Sequence, residues 1–101
     1  MELRVAYDDL QTAGFDSGGG EILHYKGKAF TGMVLELASD GTLIREEEFK
    51  NGHRDGVERS FFPNGQKQLE GFIRFNNPYG LYREWDINGN LINQYDWGPE
   101  P

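Results

Sequence analysis

The sequence predicts an all-β fold, a single-domain antiparallel meander of three 24-residue β-hairpin repeats behind a degenerate N-terminal cap. Three observations carry this reading. Glycine recurs at a fixed step: Gly41, Gly65 and Gly89 lie 24 residues apart, and so do Gly32, Gly56 and Gly80. A constant period in this range marks an array whose units bury their apolar faces only against their neighbours. Large apolar positions keep the same step, from Leu37 to Phe61 to Trp85 and from Phe49 to Ile73 to Trp97. Composition agrees, because 14 glycines and 14% aromatics in 101 residues favour strands and turns, while helix signals are nearly absent. Hydrophobic content of 37% and a mean hydropathy of −0.71 point to a thin, largely solvated sheet.

Taken in order, residues 1–24 form the cap, with "ELRVAYDDL" followed by a flexible hairpin tip about Gly18, Gly19 and Gly20. Arrays need atypical ends to protect their outer edges. The repeats occupy 25–48, 49–72 and 73–97, and the Pro-rich tail 98–101 is frayed. In "FFPNGQKQLEGF", Pro63 suits the first position of a type I turn and Gly65 the left-handed bulge position after it. This three-residue turn pairs Leu37 with Leu43, Phe61 with Lys67 and Trp85 with Leu91. Strict alternation from those pairs places Met33, Leu35, Leu37, Leu43, Phe49, Val57, Phe61, Leu69, Ile73, Leu81, Trp85, Leu91, Tyr95 and Trp97 on one face, with Arg45, Arg59, Lys67 and Arg83 at its rim. The other face then collects Glu36, Glu46, Glu48, Glu58, Glu70, Glu84, Asp86 and Asp96, opposed only by Lys50 and Arg74.

A net charge of −7 argues against nucleic acid or an anionic membrane as ligand, and makes a basic protein the electrostatic complement. There are no cysteines, so no disulfide or thiolate metal site exists. No apolar run approaches membrane-spanning length and no targeting segment is recognisable at the start, so a cytoplasmic chain is expected.

Chemistry-bearing patterns are sparse. His53-Arg54-Asp55 matches a kinase catalytic loop only at those three positions, since Ser60 stands where its Asn belongs and no Gly-rich nucleotide loop accompanies it. Gly18-Gly19-Gly20 lacks the Lys-Ser/Thr of a phosphate-binding loop. Asp86, Asn88 and Asn90 resemble the start of a calcium loop, but Trp97 stands where its bidentate Glu belongs. Asp8-Asp9 and Glu46-Glu48 are acid pairs in a solvated setting, with nothing to separate their pKa values. His53 reads as a solvated loop residue and His24 as a strand-end one. The expectation is no enzyme, no cofactor and no metal.

The texture of "GMVLELASDGTLIREEEFKNGHRDG", "GVERSFFPNGQKQLEGF" and "GLYREWDINGNLINQYDW" resembles the MORN-repeat variant of bacterial antitoxin-like proteins of the YwqK type and of polymorphic-toxin immunity proteins. These segments cover about three fifths of the chain; the third link, "IRFNNPYG", lacks the Lys-Asn-Gly texture, and residues 1–24 match nothing in the family. The resemblance implies a hairpin meander that binds protein. The expected function is an immunity protein or antitoxin, monomeric when free, that neutralises a basic toxin domain such as a nuclease. Glu36, Glu46, Glu48, Glu58, Glu70, Tyr82, Glu84 and Asp86 are its expected partner-binding residues. The competing reading is a structural scaffold module that builds assemblies by edge-to-edge sheet addition.

Overall fold

The computed structural model describes residues 3–101. The chain runs β1 (Arg4–Ala6), a 3-10 turn (Tyr7–Asp9), β2 (Gln11–Phe15), β3 (Glu21–Tyr25), β4 (Lys28–Ala29), β5 (Gly32–Leu37), β6 (Leu43–Lys50), β7 (His53–Phe61), β8 (Lys67–Arg74), β9 (Asn77–Trp85) and β10 (Leu91–Asp96). The all-β prediction holds. Among the described residues, no helix is long and apolar enough to cross a membrane. A seven-stranded sheet has the order β1-β5-β6-β7-β8-β9-β10, and a three-stranded sheet the order β2-β3-β4. The larger sheet is not purely antiparallel, because β1 pairs with β5 in parallel. Gly32 permits that approach: a Cβ there would lie 2.5 Å from the Leu3 carbonyl oxygen, which instead accepts the Met33 N–H at 2.7 Å.

Turn chemistry sets the meander. Gly41, Gly65 and Gly89 all have φ between +86 and +88°, the left-handed region that a residue with a Cβ enters at a cost. Each closes a three-residue turn, with Ala38, Phe62 and Asp86 N–H groups bonded across it to Thr42, Gln66 and Asn90. The predicted pairs Leu37↔Leu43, Phe61↔Lys67 and Trp85↔Leu91 are all present. The connections between hairpins are tighter. Lys26-Gly27, Asn51-Gly52 and Phe75-Asn76 have positive φ at both residues, the signature of a two-residue I′ turn.

The predicted face assignment fails one residue beyond each three-residue turn. Leu37 pairs with Leu43 but Glu36 with Arg45, so Ile44 is left over as a bulge. Gln68 and Ile92 are left over in the same way. Side chains alternate with period two, so one extra residue reverses the parity of the rest of the strand. The large sheet consequently carries mixed residues on both faces rather than an apolar and an acidic one.

The core follows from this. Val5, Leu23, Phe30, Val34 and Phe49 form the buried cluster, with Leu10 and Tyr25 packed against it. The small sheet thus covers one end of the large sheet, over β1, β5 and β6, on its inner face. Val5 and Val34 are register partners, and Leu23 and Phe30 reach them from the small sheet, whose backbone bonds to Gly52 at 2.9 and 2.8 Å. Each fully buried side chain of this size contributes about 1.5–3 kcal/mol. The N-terminal segment therefore supplies Val5 and Leu23 to the core, and the boundary expected after residue 24 falls inside β3.

Candidate functional site

Bulges divide the eight expected binding residues between the two faces. On the outer face a charge ladder runs over β1, β6, β7 and β8, in which Glu46–Arg59 and Arg59–Glu70 are direct register pairs. Arg4 meets Glu46 at 3.1 Å, Glu46 meets Arg59 at 2.8 Å, Arg59 meets Glu70 at 2.8 Å, and Lys67 closes the row on Glu70 at 3.1 Å. Glu46 is 5% exposed, so it faces no partner. Burial pushes the Glu70 carboxyl up, but the hydrogen bonds from Arg59 and Lys67 outweigh it and hold it below the usual range. Glu48, on the same face, accepts the Val57 N–H at 3.3 Å within the irregular β6–β7 pairing. The expected free acidic patch is, over these strands, an internally neutralised ladder. Arg59 and Arg83 share a face with Glu46 and Glu70 because each lies opposite a glutamate in register.

The inner face carries the remainder. Glu58 binds Arg45 at 3.1 Å, and Arg45 also bonds Glu47 at 3.3 Å. Glu36 is exposed and lines a recess of about 350 Å³ between the sheets with Tyr7, Glu21, Glu47 and Arg54. Asp86 is occupied by its own turn, accepting N–H bonds from Asn88 and Asn90. Tyr82 and Glu84 lie farther along, beyond the small sheet. Here Gly71 leaves a shallow groove between Glu58 and Tyr82, and Tyr95, the register partner of Tyr82, stacks edge-on against Trp97 with ring centroids 4.8 Å apart. Tyr95 is 55% and Trp97 51% exposed, where the sequence placed both in the core. Burial, then the charges of Glu84 and Glu58, raise the Tyr82 hydroxyl above its ordinary value. Asn93 donates to Glu84 at 2.7 Å, and no basic side chain pairs with Glu84 among the described residues. This end of the inner face is therefore aromatic, uncovered and acidic.

A second cluster was not foreseen. Asp16 accepts from the amides of Gly18 and Gly20 at 3.1 and 2.9 Å and from Asn76 Nδ2 at 2.6 Å, and it pairs with His53 Nδ1 at 2.9 Å. Arg54 Nε donates to Asn76 Oδ1 at 3.1 Å. His53 is thus the first residue of β7 and clamped, not a solvated loop residue. The Gly18–Gly20 tip is pinned as well, because a Cβ on Gly20 would overlap the Asn76 side chain. Ser17 lines the same recess, but no hydroxyl is bonded to the imidazole among the described residues. The geometry is that of a clamp between the N-terminal hairpin and the β8–β9 turn. The departure of "IRFNNPYG" from its sister links was its one signal in the sequence. His24 sits in β3 opposite Gln11 and Ala29.

The clamp has a pH signature. The bond to His53, opposed by burial and reinforced by Asn76, Gly20 and Gly18, lowers the Asp16 carboxyl to about 2. A folded value below the ordinary aspartate value means a contribution fully present above pH of about 4 and lost as pH falls through the folded value. Asp16→Asn is therefore expected to lower the urea midpoint at pH 6, with the gap to the parent protein closing toward pH 2. A gap that stays constant over that range would show that the ionised carboxylate is not what holds the clamp.

Among the described residues, no group of three or more His, Asp or Glu side chains converges as a metal site would. Comparison of the chain with protein-family profiles, with curated proteins and with solved structures gives no match.

Proposed function

We propose that this chain is a protein-binding module that captures a basic partner through the aromatic, acidic end of its inner face, in the manner of an immunity protein or antitoxin neutralising a toxin. The observation that carries the reading is the set Tyr82, Tyr95, Trp97 and Glu84, outside the cover of the small sheet on a chain of net charge −7. Rigid aromatics beside charge are the residue types that anchor protein interfaces. The overall field would speed encounter with a positively charged surface, of which a nuclease cleft is one example. The MORN-like texture of the sequence supports the same reading. Binding requires no catalytic step, cofactor or metal. The open outer edge of β10 favours a second reading, a scaffold module that assembles by sheet addition.

Capture from source-cell extract, identification of the partner by mass spectrometry and surface-plasmon measurements across salt test the proposal. The expected partner is basic, its association slows as salt rises, and a variant carrying Glu84→Lys, Tyr95→Ala and Trp97→Ala loses it. Co-expression is expected to relieve the growth arrest that the partner causes. Binding that ignores both salt and the triple variant overturns the reading, and a partner harmless to cells transfers support to the scaffold.

A further inference from the structure

From the strand order, the exposure of β10 and the charge around it, we propose that the free edge of β10 is a docking site for an extended basic segment of a partner protein, which adds as an eighth strand to the large sheet. The proposal rests on the protein-binding reading above and specifies the surface and the partner's chemistry.

Exposed edges in natural sheets are ordinarily short, covered, or guarded by lysine or proline, since their unpaired backbone groups are a template for another strand. The opposite edge, β1, obeys this with three residues. β10 does not: it has six residues, every one exposed, with no lysine and no proline. Its backbone polarity can be assigned. The Trp97 N–H bonds the Gly80 carbonyl on the β9 side at 2.9 Å. Alternation along an extended strand then turns the Tyr95 N–H toward β9 and leaves the Gln94 and Asp96 N–H and C=O groups pointing outward. Exposed Ile92, at the bulge, and Tyr95 lie along this strand and offer apolar contact to the side chains of an added strand.

Charge decides the occupant. From Glu84 to Pro101 there is no Lys or Arg, whereas Glu84, Asp86 and Asp96 are acidic, and among the described residues only Glu100 of the acidic residues there is neutralised, by Arg74. A second copy of this chain would bring the same carboxylates together and oppose two chains of −7, so edge-to-edge self-pairing is disfavoured. A strand bearing lysine or arginine at alternate positions meets the complementary field and pairs with the same outward backbone groups.

The test uses the full chain and a synthetic ten-residue peptide of alternating lysine and valine, with amide exchange followed by NMR. Gln94 and Asp96 amides are expected to exchange at least about tenfold more slowly at saturating peptide. A peptide with glutamate in place of lysine, or the basic peptide N-methylated at alternate residues, should give no protection. Gln94→Pro should abolish the effect and leave the fold intact, because the N–H it removes points to solvent. Peptide-induced shifts confined to the surroundings of Tyr82, with Gln94 and Asp96 unprotected, would overturn the edge site while leaving the protein-binding reading in place. Absence of any shift would also overturn it, with the capture experiment deciding the broader reading independently. Protection that rises with protein concentration in the absence of peptide would show self-pairing and overturn the assigned occupant.

Discussion

Phe30→Ala is expected to lower the unfolding free energy by about 3–5 kcal/mol, the largest effect of any single truncation in this chain. Phe30 is 1% exposed, contacts Tyr25 edge-on at 6.0 Å between centroids, and sits with Leu23 between the two sheets. Removing the ring leaves a cavity bounded on one side by β5 and β6 and on the other by a sheet of only three strands. Phe61→Ala, by contrast, removes a half-buried ring beside a solvated turn and is expected to cost less, although Phe61 is the better placed residue in the repeat pattern. Urea midpoints decide the order. A Phe61→Ala variant that is the less stable of the two would mean that the stability of the chain lies in the hairpins and that the small sheet only decorates them.

That contrast shows where the sequence is legible and where it is not. The three-residue turns are local: Pro63-Asn64-Gly65 and its two sisters dictate backbone angles within four residues, so pairing at each turn follows from composition alone. Asn51-Gly52 is equally readable as a tight turn. The bulges at Ile44, Gln68 and Ile92 lie one residue farther on and have no glycine or proline to mark them, yet each reverses the side-chain parity of a strand. This is why Glu46, expected at a binding surface, is buried, and why Trp97, expected in the core, is exposed. Phe75-Asn76 was unreadable for a different reason. A phenylalanine at φ +46° opposes its own preference, and the bonds from Asn76 to Asp16 and Arg54, from elements far apart in sequence, hold the turn. Of the expected binding residues, Tyr82 and Glu84 fall at the uncovered end of the inner face, because they precede the β10 turn and escape its parity change.

The charge ladder supplies the second large effect. Arg59 stands between Glu46 and Glu70 and donates to both at 2.8 Å, while Glu46 is almost completely removed from water. Arg59→Met would leave Glu46 with only Arg4, a side chain half in solvent, and is expected to cost about 2 kcal/mol. That figure lies below the range for a fully buried pair because Arg59 itself is 34% exposed and screened. Glu46→Leu alone leaves Arg59 its bond to Glu70 and should cost less. The double variant places two apolar side chains opposite each other in register on β6 and β7, with Glu70 still paired to Lys67. It should therefore be more stable than Arg59→Met alone, because the buried carboxylate and its desolvation penalty disappear together. A double-mutant cycle in urea is expected to show coupling of about 1 kcal/mol or more. Strictly additive losses would mean that the two side chains meet without depending on each other, and the ladder would then contribute no coupling energy to the sheet.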